Sequence, residues 1–347
     1  MDPLTHALSG ALLVRAAISP QSKSRALPLR NALIAGFAAA AFPDIDIVLR
    51  LIDTLTYLNW HQGPTHSLVL LPLWAFLLAH VFSLITRGRY AWQCFYFPVC
   101  LGITIHIAGD VITSYGLMLF SPFSTERFSV PLAFVIDLWF SGIIVLGLIL
   151  SGLFAWGRMM AAGALICLGL YGLFLASLHQ QANRIGEAYA REMALISAEI
   201  NVLPQPFSPY NWKIIVTQED TYHIAWINLG SSPWIAAIDA GLLSRMAATY
   251  RPSLFAEWQQ LKRFGATAAD ELLAREAWHQ SALTDFRRFA VFPQMERIDY
   301  SDKGICVWFY DLRFQFPYLP PSFRYGGCKN EGADWFLQRQ RGTFWID

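Results

Sequence analysis

Long apolar runs fill the first half of the chain and stop near residue 180. Residues 67–86, 95–120, 130–155 and 159–178 are almost continuously apolar, and each reaches the roughly 20 residues that span a hydrocarbon core. Two shorter runs precede them, at 4–18 and 31–43. The second, NALIAGFAAAAF, is packed with Ala and Gly, small residues that let helix backbones approach closely. This pattern predicts an all-α polytopic membrane helical bundle with about 5–6 membrane segments over residues 1–180. Beyond it, residues 181–210 read as an amphipathic linker closed by the Pro-rich LPQPFSPY, and 211–347 as a soluble α+β domain. Within that domain NWKIIVTQEDTYHIAWINLG (211–230) predicts two strands around a Glu219-Asp220 turn. Residues 254–292 carry helical periodicity, and GICVWFYDLRFQF (304–316) predicts a further strand.

Composition agrees with a membrane protein. Of 347 residues 55% are hydrophobic and 15% charged, against roughly a quarter charged in an average soluble domain. A net charge of +1 gives no support for a nucleic-acid surface, which needs clustered Lys and Arg. The expected partners are the lipid bilayer and a small-molecule or lipid substrate. The five cysteines contain no CxxC pair, so a metal has to be bound by His and carboxylate. MDPLTHALSGALL lacks a basic region and a clear cleavage site, which predicts that the first helix is kept in the mature protein. If the segments alternate, one side of the membrane holds Arg15, Lys23, Arg25, Arg30, Arg87, Arg89 and Arg158, the other only Arg50 and Arg127. The positive-inside rule puts the richer side in the cytoplasm and the C-terminal domain outside. An oxidising compartment there permits a Cys306–Cys328 disulfide.

Within the apolar half a few ionisable residues stand out, costly at membrane depth and therefore paired, cavity-facing or functional. His106 and Asp110, four apart in GITIHIAGDVITSYG, share a helix face. They can grip one metal ion or form a hydrogen-bonded pair between helices. Asp44 and Asp46 in FPDID follow an Ala-rich helix at Pro43; an extended stretch would aim both carboxylates at one cavity, whereas a helix cap needs only one. His61 and His66 in HQGPTHS flank a Gly-Pro turn, with Thr65 beside the second. His6 lies at the start of the first helix. Under alternating topology all these fall at the outer membrane face, together with Asp137 in FVIDLW, and the convergence points to a metal site.

MDPLTH, FPDID, HQGPTHS and HIAGDVITSYG followed by SPFS resemble the bacterial inner-membrane metal-dependent hydrolases of the LexA-regulated, YdjM-like type, over about residues 1–140. The resemblance implies a metal-dependent hydrolase; Gln62 stands where that family commonly has Arg. A more distant similarity is to the zinc phospholipases C and single-strand nucleases, with His6, Asp44 or Asp46, His66, His106 and Asp110 in matching order. Their later His and Glu ligands have no equivalent here, which implies one or two ions.

The reading is therefore a bacterial inner-membrane enzyme in which His6, Asp44, His66, His106 and Asp110 hold a divalent metal, Zn²⁺ or Mn²⁺. Asp46 is expected as bridging ligand or general base, and His61 as proton donor to the leaving group. Asp137 and Thr65 are expected to orient the imidazoles from behind. Metal-activated water would cleave a lipid phosphoester or another amphiphilic ester. The competing class is a non-catalytic membrane protein stiffened by metal or polar pairs, an envelope-stress or transport accessory; a transporter comes third.

Overall fold

The structure is a computed structural model and describes residues 1–18, 27–230, 241–302 and 304–340. Lys23 and Arg25, used in the loop-charge argument, lie outside the described residues. The chain divides into two compact units, Met1–Ser177 with Pro204–Pro209 and Leu178–Leu203 with Tyr210–Asp347.

The first unit is helical. Its elements are α1 (Pro3–Ala17), α2 (Leu29–Ala41), a 3₁₀ helix Pro43–Leu51, α3 (Thr54–Trp60) and a 3₁₀ turn Pro64–His66. They continue with α4 (Leu71–Ile85), α5 (Trp92–Val111), α6 (Leu138–Leu153) and α7 (Gly157–Glu192), the last crossing the division between units. Asp2, Asp53 and Asp137 cap α1, α3 and α6 by accepting backbone N–H groups of the first turn.

Among the described residues two helices, α5 and α7, are long and apolar enough to cross a membrane, or up to four spans if each bent pair is one. The bent pairs are α2 with Pro43–Leu51, at 44°, and Thr54–His66 with α4, at 82°. This is fewer than the expected 5–6 segments, and the reason is local. At 1.5 Å per residue, α1 and α6, with 15 and 16 residues, reach only about 22–24 Å against a hydrocarbon core of about 30 Å. The run 95–120 ends as helix at Val111, and 130–137 is non-helical up to and including the Asp137 cap.

Glycine brings α1, α2 and α5 into backbone contact. A Cβ at Gly10 would lie 2.3 Å from the Gly36 carbonyl oxygen, and one at Gly102 would lie 2.5 Å from the same atom. No side chain fits in either place, so these helices pack at a distance that only Gly allows. Around this contact Ala35, Ala39, Ala75, Ala79, Val99 and Ile103 form a buried apolar core.

The second unit carries two sheets. The first contains β1 (Glu199–Pro204), β2 (Asn211–Gln218), β3 (Thr221–Asn228), the two-residue β4 (Arg251–Pro252) and β5 (Gln259–Lys262), in order β1-β2-β3-β4 with β5 also on β3. The β2–β3 hairpin turns at Glu219-Asp220, as its sequence predicts. The second sheet is β6 (Pro293–Ser301), β7 (Gly304–Asp311), β8 (Tyr325–Asn330) and β9 (Phe336–Arg339), in that order and antiparallel. Among its described residues the unit also has the short helices α8 (Leu242–Thr249), α9 (Ala268–His279) and α10 (Thr284–Phe289). The helical periodicity of 254–292 resolves into α9, α10 and the strand β5, and residues 199–204 of the expected linker are a strand. Both faces of β2 are buried: Trp212, Ile214 and Val216 pack with Leu178 and Ala182 of α7, while Ile215 packs with Tyr222, Tyr310 and Leu312. Cys306 and Cys328 face each other across β7 and β8 and are disulfide-bonded.

Lys213 of β2 is fully buried, its ammonium donating to the Leu312 carbonyl at 2.6 Å and lying 5.1 Å from the Trp226 ring centre. Burial pulls its pKa from 10.5 down to about 7, opposed in part by Asp311. The folded state then binds fewer protons than the unfolded state between those two values, so its stability rises with pH across that window and is lost as pH falls towards 7. The unfolding midpoint of this unit, followed by tryptophan fluorescence in the full chain, should climb from pH 7 to pH 9. Lys213→Met should flatten that climb; equal slopes in the two proteins would assign the effect elsewhere.

Candidate metal centre

Four side chains from three elements converge in the first unit: Asp44 of the 3₁₀ helix after α2, His66 of the Gly-Pro turn, and His106 and Asp110 of α5. One ligand atom from each lies within 4.8 Å of all the others, and His66, His106 and Asp110 are completely buried. Nε2 of His106 and of His66 stand 3.2 and 3.4 Å from Asp110 Oδ2, and 3.8 and 3.7 Å from Asp44 Oδ1. Ligand atoms at about 2.0–2.1 Å from a tetrahedral zinc ion are themselves about 3.3 Å apart. The four imidazole–carboxylate pairs, at 3.2–3.8 Å, are close to that spacing.

Its hydrogen bonds fit the same purpose. Nδ1 of His106 donates to the Ala40 carbonyl at 2.6 Å, and Nδ1 of His66 lies 3.0 Å from Thr65 Oγ1. Each imidazole is thus held from behind, and its Nε2 is buried with no hydrogen-bond partner, as is Oδ2 of Asp44. Buried polar atoms left this way cost about 1–3 kcal/mol each. A cation between them would satisfy both imidazole nitrogens at once, so the donor set can hold a metal ion.

The expected residues fall into distinct places. His6 does not join the four but supports them: its Nε2 lies 2.9 Å from Asp110 Oδ1, and its ring stacks on His106 with centres 3.8 Å apart. The amino group of Met1 also bonds Asp110 Oδ1. Asp44 and Asp46 are not on an extended stretch, because Pro43 opens a 3₁₀ helix. With three residues per turn, neighbours two apart face different ways. Asp44 turns to the cluster, while Asp46 holds Nδ1 of His61 at 3.0 and 3.1 Å and the backbone N–H of Gln62 at 3.0 Å. Neither caps the helix. His61 packs between Tyr57 and Tyr115, beside the four rather than among them. The Thr65 hydroxyl lies behind His66. Asp137 stands behind no imidazole: it accepts the N–H groups of Trp139 and Phe140 and the Tyr171 hydroxyl, serving as the α6 cap.

Sequence reasoning misses Gln62, whose Nε2 donates to Asp110 Oδ2 at 2.9 Å. It also misses the clasp that fixes the turn. Arg127 donates to the carbonyls of Asn59, His61 and Gly116, Met118 N–H donates to the Gln62 carbonyl, and Ser67 Oγ donates to the Ser121 carbonyl. Only the Gly-Pro of the turn advertised an unusual backbone here.

Fold and site together define a membrane protein whose helical region encloses a His/Asp cluster that can hold a metal ion. The chain belongs to the YdjM inner membrane protein family, whose family model matches residues 1–182. It is also similar to the uncharacterized protein YfhP of Bacillus subtilis (strain 168), at 28% identity over 127 residues. That match takes in 36% of this chain and 38% of the relative's length. No solved structure matches the chain.

Proposed function

We propose that this protein is a metal-dependent hydrolase of the bacterial inner membrane, with its site at the outer face and a lipid phosphoester or other amphiphilic ester as substrate. One observation carries the reading: two buried imidazole Nε2 atoms with no hydrogen-bond partner aim at two carboxylates at ligand-to-ligand spacing. Asp44, His66, His106 and Asp110 would hold one zinc-class ion. When bound, such an ion polarises the scissile group and activates water near neutral pH.

The chain's own residues would manage the proton. Asp46 fixes the His61 tautomer through Nδ1, leaving Nε2 as the exchanging nitrogen, and the side chains of His61 and Asp44 are each 17% exposed while His66, His106 and Asp110 are buried. That suits delivery of a proton to a leaving oxygen. An amphiphilic substrate is supported by the surface next to the site, where Ile45, Ile47, Val48, Leu51 and Ile52 are all more than half exposed beside Asp44 and Asp46. An extracytoplasmic C-terminal domain is supported by the Cys306–Cys328 disulfide, which suits an oxidising compartment. The competing reading, a metal that only stiffens the bundle, draws on the complete burial of three of the four groups.

Metal analysis of the full chain purified in detergent, paired with hydrolysis of a phospholipid phosphodiester panel, separates them. Stoichiometric metal is expected in the wild type and none in His66→Ala. His61→Ala should keep the metal and lose roughly 10²–10⁴-fold in turnover. Metal-loaded protein inert on every ester would leave the stiffening role, and metal-free wild type would end both readings.

A further inference from the structure

Gln62 is held more tightly than a turn residue needs to be. Its backbone sits at φ +58°, a region few residues other than Gly occupy. Its N–H donates to Asp46 Oδ2 at 3.0 Å and its carbonyl accepts Met118 N–H at 2.9 Å. Strain of this kind costs about 1–3 kcal/mol and persists where surrounding contacts enforce it, often at functional sites. What the strain delivers is a residue only 4% exposed, its side chain placed against the metal cluster.

The two ends of that carboxamide meet different needs. Nε2 donates to Asp110 Oδ2, the oxygen that also faces His66 and His106. The opposite orientation would set the amide oxygen against a carboxylate oxygen, so the network itself decides which end is which. Oε1, about 2.2 Å from Nε2 by covalent geometry, is buried and makes no hydrogen bond to the protein. A buried acceptor beside a cation site calls for a partner that donates.

We propose that Gln62 is a positioning residue with two duties: its Nε2 holds Asp110 in ligand geometry, and its Oε1 accepts a hydrogen bond from the water that enters the cluster, favouring a donor over an anion without protons. This rests on the metal reading above. The orientation of the attacking water then comes from the HQGPTHS turn itself, with Asp46 fixing the same residue's backbone and the neighbouring His61.

The test uses cobalt(II) as the probe on full-length protein in detergent, with azide as an anion that binds metal without donating a hydrogen bond. In Gln62→Met the visible cobalt bands should shift and cobalt affinity should fall about 10–100-fold, the usual cost of losing a partner behind a ligand. Azide should bind the variant several-fold more tightly than the wild type. Gln62→Gly, which suits the left-handed backbone, should match the melting temperature of metal-free wild type when itself metal-free while showing the same spectral and azide changes, and it decides the matter should the Met variant fail to fold. Bands, affinity and azide binding like the wild type in Gln62→Gly, or failure of that variant to fold, would overturn the assignment. Wild-type protein that takes up no cobalt would instead overturn the metal reading and this proposal with it.

Discussion

Asp110→Asn is expected to empty the metal centre while leaving the fold standing, and Asp110→Ala to do both kinds of damage. The carboxylate is completely buried and divides its work by oxygen: Oδ1 meets His6 at 2.9 Å, and Oδ2 meets Gln62, His106 and His66 at 2.9, 3.2 and 3.4 Å. An alanine leaves the His6 and Gln62 donors buried without an acceptor, at about 1–3 kcal/mol each. An asparagine keeps the volume and one acceptor but removes the negative charge a divalent ion needs. The difference can be read by linkage. A ligand present at 100 times its dissociation constant stabilises the folded state by about 2.7 kcal/mol, so a chelator should lower the wild-type melting temperature and leave that of Asp110→Asn unmoved. An Asn variant with full metal content, or a wild type indifferent to chelator, would show that Asp110 is a packing residue.

Much of this centre is legible in the sequence because charge inside an apolar half is expensive and must be explained. Asp44, His66, His106 and Asp110 stand out for that reason, and the i, i+4 spacing of the last two is enough to put them on one helix face. Exact roles are harder to read. His6 has the right chemistry for a ligand, but a side chain's alternative partners are set by tertiary distance, and Asp110 Oδ1 takes its Nε2. Gln62 stands out only as a departure from the resembling family, and its role is not legible because a neutral amide in a turn looks like solvent-facing polarity; only the following Gly-Pro hints at a special backbone. For Asp137 the signal is present, an Asp immediately before an apolar helix, which is the ordinary signature of a cap. Helix lengths are overread for a related reason: hydropathy does not register the break after Val111 or the non-helical stretch before α6, since their residues stay apolar. In the second unit the alternating β2–β3 pattern and its turn are plain, whereas β1 hides at the end of a stretch dominated by the α7 periodicity.

Gly102→Val is expected to remove the metal without touching a ligand. A Cβ at Gly102 would sit 2.5 Å from the Gly36 carbonyl oxygen, 2.9 Å from Ala39 Cβ and 3.0 Å from the Ala40 nitrogen. All but one of these contacts are backbone, so α2 and α5 must separate, an overpacking cost of about 1–3 kcal/mol or more. The separation acts on the site through Ala40, whose carbonyl fixes Nδ1 of His106 at 2.6 Å, and through Asp44, four residues further along the same stretch of chain. Gly142→Val is the matching control, because a Cβ there meets nothing within 4 Å. Metal content and melting temperature should both fall in Gly102→Val and both hold in Gly142→Val. Full metal in Gly102→Val would mean that the cluster assembles independently of the α2–α5 contact. The expected loss makes the small residues of NALIAGFAAAAF part of the metal centre's construction, since they set the distance at which an α5 imidazole can reach an α2 carbonyl and leave its other nitrogen for the ion.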